Sequence, residues 1–461
     1  MRRASILLLI AVLCSCGGST PAPRAASART EAGAENVAEN VASNETSSPG
    51  QSETHEAGAV QSPVHCNDRI AAAQGSGRDS IVAGLNDFGL EALRRTQDAQ
   101  TLNASLSPAS IAFALAMTMQ GASGQTREEM RCALHLSASD EDVRLTMQAV
   151  LNALDDNRRP AERNRATSLY IANQLFVAQN FELVPDFVTA SQRIFGAPVE
   201  RLDFLHAAEA SRVHINEWAE QHTFQRIRDL IPSGGVTSGT TLVLANAIYF
   251  KGQWLTRFNA RDTQQETFEH AGAGPEARVA MMHKTAQYDY GTHGGAQWIS
   301  LPYAASRLSM VVALPEARGD AALAAWLSHL NAAEVRDAVG SLRRSHVVLS
   351  LPKWTSHSDS IALGPVLREM GMQRAFTDGA EFPGIAREST QISEVFHKVF
   401  VDVSEEGTEA AAATAVVMTR TAIMDPPQEA VFRADHPFVY FIRDSETGFI
   451  LFAGVFANPQ R

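Results

Sequence analysis

The chain has 461 residues, with 39 basic and 51 acidic side chains, a net charge of −12 and a pI near 5.6. That balance argues against a general nucleic-acid binder, and 45% hydrophobic residues rule out a wholly disordered chain. Four cysteines are too few for a disulfide-built scaffold or a cysteine-rich zinc protein, so a hydrophobic core must hold the fold.

At the N-terminus, Arg2 and Arg3 precede the apolar run Ile6-Leu7-Leu8-Leu9-Ile10-Ala11-Val12-Leu13. The run is far short of the roughly 20 residues that cross a bilayer and has the length of a signal-peptide core. It ends in Leu13-Cys14-Ser15-Cys16-Gly17-Gly18, which resembles a bacterial lipobox: an apolar residue three before Cys16 and a small one directly before it. Cys16 is then the lipidated first mature residue, residues 1–15 being the signal. Cys14 competes poorly, because Leu13 is not small. The alternative is an ordinary secretory signal with two incidental cysteines. Gly17 stands where an aspartate is associated with inner-membrane retention, which favours the outer membrane. The expected location is the cell envelope through a lipid anchor, at the outer membrane or cell surface, or secretion.

Residues 17–65 contain no Leu, Ile, Met, Phe, Tyr or Trp, so nothing there can build a core. Residues 16–65 read as a low-complexity tether, with a coil reach of roughly 35–40 Å on the ~5–6 Å × √n rule. From Cys66 to the end no second low-complexity stretch divides the chain, which predicts one large domain over residues 66–461. Within it, Leu85, Phe88 and Ala92, then Ile111, Leu115 and Met119, recur at helical spacing. Later runs have strand length and β-branched or aromatic character: Leu242-Val243-Leu244, Ile248-Tyr249-Phe250, Met310-Val311-Val312-Ala313-Leu314, Val347-Val348-Leu349-Ser350-Leu351 and Phe438-Val439-Tyr440-Phe441-Ile442. Helices and strands mix without a regular βαβ rhythm, which predicts an α+β fold with largely antiparallel sheets.

Enzyme motifs are lacking: no Gly-rich phosphate loop, no His-Glu-x-x-His, no Cys-x-x-Cys and no Gly-x-Ser-x-Gly elbow. No catalytic residue, metal cluster or cofactor is expected. Arg343-Arg344 near Ser345-His346 read as a solvated turn and not as a polyanion site.

Three segments carry more information together than alone. In Asn103-Ala104-Ser105-Leu106-Ser107-Pro108-Ala109-Ser110-Ile111, Ser107 can cap a helix, Pro108 fits its first position and Gly121 can end it. Leu242-Val243-Leu244-Ala245-Asn246-Ala247-Ile248-Tyr249-Phe250-Lys251-Gly252-Gln253-Trp254 is a buried strand with one odd polar residue. The third is Glu405-Glu406-Gly407-Thr408-Glu409-Ala410-Ala411-Ala412-Ala413-Thr414. In this order and spacing the chain resembles a serpin, and the resemblance extends to Ala172-Asn173-Gln174-Leu175-Phe176, Ile215-Asn216-Glu217-Trp218, Leu351-Pro352-Lys353, residues 367–376 around Gly371-Met372, residues 392–401 and Asp435-His436-Pro437-Phe438. One departure is Thr223-Phe224-Gln225-Arg226-Ile227, where the family usually has Gly and Lys in the places of Gln225 and Arg226; a changed local turn is expected there.

The resemblance implies a single domain with three mainly antiparallel sheets, eight or nine helices and an exposed reactive loop at about residues 405–431. It also implies a monomeric inhibitor whose partner is a serine, or cysteine, endopeptidase. The protease attacks the loop, and the cleaved loop inserts into the main sheet before the acyl-enzyme hydrolyses, which requires a metastable start. Inserted residues alternate faces, so Thr408, Ala410, Ala412, Thr414, Val416 and Met418 share one side, and all are small or apolar. By position, Ser107, Ser110, Asn246 and His397 correspond to the family's shutter, and Trp254 with the Lys353 and Glu405 pair to its breach. An exposed Lys–Glu pair would contribute only about 0–1 kcal/mol.

The family's usual hinge count places the scissile bond between Thr421 and Ala422, which suits an elastase-like or subtilisin-like pocket. A hinge one residue shorter places it between Arg420 and Thr421, which suits a trypsin-like pocket carrying a carboxylate. Cys66 and Cys132, the pair left after signal processing and lipidation, are candidates for a disulfide in an oxidising envelope. The rival readings are a non-inhibitory serpin acting as a binding or scaffold protein, and an unrecognised envelope hydrolase.

Overall fold

In the computed structural model the described residues are 77–97, 103–155, 167–270, 277–357, 359–408 and 429–459. All of them belong to the unit Gln61–Arg461. The expected signal and tether lie outside the described residues.

In chain order the elements are α1 (Arg78–Arg95), β1 (Ala104–Leu106), α2 (Pro108–Met119), α3 (Gly124–Ala133), α4 (Asp140–Asp155), β2 (Thr167–Ala178), α5 (Pro185–Phe195), β3 (Val199–Leu202), α6 (Phe204–His222) and β4 (Leu242–Gln253). There follow β5 (Gln264–Phe268), β6 (Ala277–His293), β7 (Ala296–Pro302), β8 (Leu308–Pro315), α7 (Asp320–His329), α8 (Ala332–Ser341), β9 (Arg343–Pro352), β10 (Trp354–His357), β11 (Ile361–Ala362) and α9 (Gly364–Glu369). The last are β12 (Ile392–Val403), β13 (Gly407–Thr408), β14 (Ala430–Arg433), β15 (Phe438–Asp444) and β16 (Ile450–Phe456). The α+β class and the helix number agree with the sequence reading.

One set of seven strands runs β10-β12-β13-β4-β2-β3, with β11 paired to β12; a set of nine runs β1-β16-β15-β8-β7-β6-β9-β14, with β5 paired to β6. Two of the three expected sheets are thus continuous. The reason is β6: at 17 residues it is long enough to pair β5 and β9 along its first part and β7 at its end. Pairing is mostly antiparallel, the exceptions including β4 with β12 and β2 with β3.

Burial explains the local choices. All twelve residues of α2 are buried, which is why its sequence is apolar on every side: it packs against α1, β2, β4 and β16 with no solvent face. Its start is as expected, with Ser107 Oγ accepting from the Ser110 N–H and Pro108 in the first turn. Its end differs: the helix stops at Met119 with Gln120 still right-handed, and Gly121 instead permits a backbone crossing, its carbonyl accepting from the Gly384 N–H at 3.0 Å. β4 lies between β2 and β12 with α2 against one part and α6 against another, so a strand buried on both faces reads as a near-continuous apolar run. Arg343 and Arg344 open β9, opposite Tyr290 and Asp289, and do not form the solvated turn expected of them.

The departure at residues 223–227 keeps the fold and strains the backbone. α6 ends in a Schellman turn, the Gln225 N–H reaching the Glu220 carbonyl at 2.9 Å. The turn requires a left-handed residue, and here Phe224 (φ 53°) and Gln225 (φ 64°) both adopt that conformation without being glycine.

The Gly121–Gly384 crossing yields a test. A Cβ on Gly384 would lie 2.8 Å from the Gly121 Cα, and both partners are backbone, so nothing flexible can yield. Gly384→Ala is expected to lower stability by about 1–3 kcal/mol, read from the urea midpoint, whereas the exposed Gly239→Ala should change it little.

Candidate functional site at a forked seam

β4 and β12 run parallel and pair from Leu242 with Ile392 up to Tyr249 with Phe400. Above that rung they part, and β13 lies between them: Thr408 opposes Val403 on one side and Gly252 on the other. The chain arrives there through a tight turn from β12, in which the Ser404 N–H donates to the Gly407 carbonyl at 2.8 Å and the Gly407 N–H to the Ser404 carbonyl at 3.2 Å. Gly407 is at φ 148°, and any Cβ there would collide with the Gly252 carbonyl oxygen, so glycine is required. Thr408 is fully buried, its hydroxyl 2.7 Å from that of Tyr303. Burial pushes the Tyr303 phenol well above its ordinary pKa, so it stays neutral beside the threonine.

The residues assigned to the breach surround this turn. The Trp254 indole Nε1–H donates to the Ser404 carbonyl at 2.9 Å, its backbone N–H donates to the Glu406 carbonyl at 3.0 Å, and its ring stacks on Tyr303 at 4.8 Å. Glu405 accepts from Lys353 Nζ at 2.8 Å and from the Thr263 hydroxyl at 2.8 Å. The Glu405 side chain is only 12% exposed, so the pair is more enclosed than the exposed one expected. Burial alone would raise its carboxyl pKa, but the Lys353 and Thr263 hydrogen bonds and the lysine charge hold it below the usual range. Arg257 holds the neighbouring Glu406 at 3.1 Å and Gln253 at 2.7 Å.

Lower in the seam a single rung carries the polar cluster. Asn173 of β2, Asn246 of β4 and His397 of β12 are direct register partners, so the three side chains project to one face. The start of α2 meets them there. Asn246 Nδ2 donates to Ser110 Oγ at 2.6 Å and to Asn173 Oδ1 at 2.5 Å, the Ser110 hydroxyl donates to Asn173 Oδ1 at 3.2 Å, and Ser107 Oγ donates to the Leu451 carbonyl at 2.6 Å. His397 Nε2 accepts from the Ser107 N–H at 3.0 Å, which leaves the proton on Nδ1, donated to Asn246 Oδ1. Burial lowers its pKa to about 3, in keeping with a neutral ring.

The structure thus brings together Ser107, Ser110, Asn246 and His397 in one cluster, and Trp254, Lys353, Glu405, Glu406, Gly407 and Thr408 in another. Asn173, Tyr303, Thr263 and Arg257 belong to the same clusters and were not singled out as site residues from the sequence. Asn173 had a signal, a polar residue inside the Ala172-Asn173-Gln174 segment; the others had none without the strand pairing. The hinge residues Glu409, Ala410, Ala411, Ala412, Ala413 and Thr414, the candidate reactive residues Arg420, Thr421 and Ala422, and Cys16 and Cys66 lie outside the described residues. Cys132 on α3 is disulfide-bonded. Among the described residues no group of three His, Cys, Asp or Glu side chains could hold a metal ion, and no helix is long and apolar enough to cross a membrane.

An α+β domain whose mixed sheet is parted at one end of its central seam, with Gly407 and Thr408 between the parted strands, is the architecture that the described residues define. Residues 83–459 match the family model Serpin (serine protease inhibitor), and the chain belongs to the serpin family, most of whose members inhibit proteases. It is 38% identical over 383 residues to an uncharacterised serpin-like protein of Thermococcus kodakarensis, covering 82% of this chain and 86% of that one. It is 38% identical to human Serpin B8 over 366 residues, 77% of this chain and 93% of the relative. With the leukocyte elastase inhibitor of Sus scrofa it shares 35% identity, covering 83% of this chain and all of the other. The native thermophilic serpin Tengpin superposes with a TM-score of 0.73 at 26% identity, covering 82% of this chain and 94% of that one. Human thyroxine-binding globulin with its hormone gives 0.74 at 24%, covering 83% and 99%, a likeness of fold alone.

The neutral His397 makes the cluster acid-sensitive. Its pKa is lower folded than unfolded, so between about pH 6.5 and pH 3 the unfolded chain binds the extra proton; stability is complete above that window and falls as pH drops through it, by at most ~1.4 kcal/mol per unit. Glu405 adds a loss in the same direction below its ordinary pKa. His397→Gln should flatten the dependence of the urea midpoint on pH between 6 and 4 relative to the native protein.

Proposed function

We propose that the protein inhibits serine endopeptidases as a suicide substrate. The observation that carries this reading is the fork: β13 already occupies the top of the seam, and the strands below it are held by a neutral polar cluster that can rearrange. Continuing the register of Gly407 with Gln253 and Thr408 with Gly252 would bring Ala411 beside Tyr249 and Thr414 beside Asn246. Each inserted residue would add ladder hydrogen bonds, and from Thr408 to Met418 no charge or proline stands on the Thr408 side of the strand.

In this mechanism the serine of the target attacks the carbonyl of the residue before the scissile bond, the peptide bond breaks, and the new N-terminus leaves with the C-terminal part of the loop. The acyl ester then faces a race between water and insertion, and insertion carries the bound protease away from the breach. Thr421–Ala422 is the preferred scissile bond, directed at elastase-like or subtilisin-like enzymes, with Arg420–Thr421 the alternative for a trypsin-like one. The protein works as a monomer and is held at the cell envelope through lipid on Cys16, with residues 16–65 as a tether that lets it meet large partners. Its Cys132 bond is made with Cys66.

The test is to mix the protein with one protease of each type and analyse the products on denaturing gels, sequencing the released C-terminal peptide. A complex that survives denaturant is expected from at least one. Thr408→Arg should be cut without being trapped, because the side chain buried against Tyr303 becomes an unpaired charge costing several kcal/mol. A fall in trapped fraction of at least tenfold is expected, and trapping at the native yield would contradict the insertion mechanism. Cleavage without complex by all three enzymes would favour the non-inhibitory binding reading.

A further inference from the structure

The polar groups on the Asn246 rung satisfy one another; at the foot of the seam, the end away from the fork, two polar atoms are left over. Thr390 Oγ1 and Gln391 Oε1 are buried without a hydrogen-bond partner among the described residues, and the two residues stand side by side in the chain directly before β12. Leu242 and Ile392, partners on the lowest rung, are both buried, and two residues below each, Thr240 and Thr390 are buried again, at 7% and 3% exposure. The strand alternation thus carries on past the ends of β4 and β12, with Thr240 and Thr390 on the face of Asn246.

This end of the seam is shut by other groups. The Thr241 N–H donates to Ser393 Oγ at 2.9 Å and the Thr241 hydroxyl to the Gln391 carbonyl at 2.7 Å, where the β4–β12 register shifts between Ile392 and Glu394. Below it, the Val184 N–H donates to the Ile385 carbonyl at 2.9 Å and the Arg387 N–H to the Glu182 carbonyl at 3.0 Å, so the chain leading into Thr390 is fixed to the stretch between β2 and α5. Thr390 and Gln391 are therefore held in place while their side-chain oxygens go unused. An unpaired buried polar atom destabilises the state that contains it, and a state that pairs it gains by the difference.

The chain's own sequence supplies a complement. With Thr408 opposite Gly252, a strand continued down the seam brings Arg420 level with Thr240 and Thr390 on the Thr408 side, where it is the next residue after Met418. A guanidinium is a planar fork of donors with no acceptor, which suits the unpaired oxygens of two consecutive residues. We propose that Thr390 and Gln391 form a receiving site for the Arg420 guanidinium, so that Arg420 locks the foot of the inserted strand and serves insertion, not recognition by a trypsin-like pocket. The use of the site rests on the inhibitory reading with Thr421–Ala422 as the scissile bond, which leaves Arg420 on the inserted strand next to the acyl-bearing residue. Admitting that strand parts Thr241 from Gln391 and Ser393 by about 4.8 Å, and the guanidinium reaches the two oxygens from the space so opened.

The test anneals acetylated synthetic peptides of residues 408–421 into the uncleaved protein and reads how fast a labelled peptide leaves when unlabelled peptide is in excess. The peptides carry the native sequence, Arg420→Met or Arg420→Lys, and the protein is native, Thr390→Val, Gln391→Met or the double variant. The Arg420→Met peptide should leave the native protein about ten- to a hundredfold faster than the native peptide does, with Arg420→Lys in between. The double variant should release the native and Arg420→Met peptides within about twofold of each other, because the partner of the arginine is gone. Without peptide, the urea midpoints of Thr390→Val and Gln391→Met should be no lower than native, which separates a lost site from a damaged fold. Equal release of the native and Arg420→Met peptides from native protein, or an undiminished difference between them on the double variant, would overturn the lock. Failure of every peptide to anneal would overturn the lock and the insertion mechanism together, whereas peptides that anneal to a protein that traps no protease would count against the inhibitory reading alone.

Discussion

The structure turns on the seam between β4 and β12. Two parallel strands at the centre of a mixed sheet are paired along most of their length, yet at one end the chain has put its own next two residues between them. On the proposed mechanism, a sheet in that condition has not formed every ladder it could form. What keeps the seam closed below the fork is therefore as important as what opens it above.

The two faces of the seam are held by different chemistry. On one, Asn173, Asn246 and His397 share a rung and are satisfied by one another and by the start of α2, so the buried polar groups bear no desolvation penalty while the strands are together. Such hydrogen bonds are directional and can be exchanged for new ones. On the other face the contacts are aromatic and cationic: Phe224 packs against Tyr170 and Tyr249, and the Arg226 guanidinium lies over the Phe400 ring. At the fork, the Ser404–Gly407 turn, the Glu405 pair with Lys353 and the Trp254 hydrogen bonds fix where the next strand begins. Position is thus set at the top and resistance lower down.

Much of this was legible in the sequence, for identifiable reasons. The start of α2 was, because Ser107 and Pro108 are local punctuation, and so were the strand runs of β4, β8, β9 and β15, because their largely buried stretches carry near-continuous apolar runs. The resemblance to the serpin pattern pointed to Ser107, Ser110, Asn246 and His397 and to Trp254, Lys353 and Glu405, which the structure gathers into two clusters. What was not legible depended on pairing. Asn246 reads as an odd polar residue in a strand until β12 places His397 beside it, 151 positions along the chain. Tyr303 has no local feature that marks it as the partner of Thr408, and Glu405 cannot be seen to be enclosed until Thr263 and Lys353 come together around it. The merging of two sheets followed from the length of β6, which the apolar runs did not reveal. At Gln225 the sequence signalled a departure, and the outcome was a retained left-handed turn at the expense of strain.

On the proposed mechanism the main sheet is metastable and lacks a strand that the chain itself can supply. Thermal unfolding of the intact protein, compared with the same protein nicked once after Arg420 or Thr421, is the measurement that decides it. A melting temperature that rises sharply on cleavage is predicted, because the freed strand can then complete the seam. Equal melting temperatures for the intact and nicked forms would contradict the account.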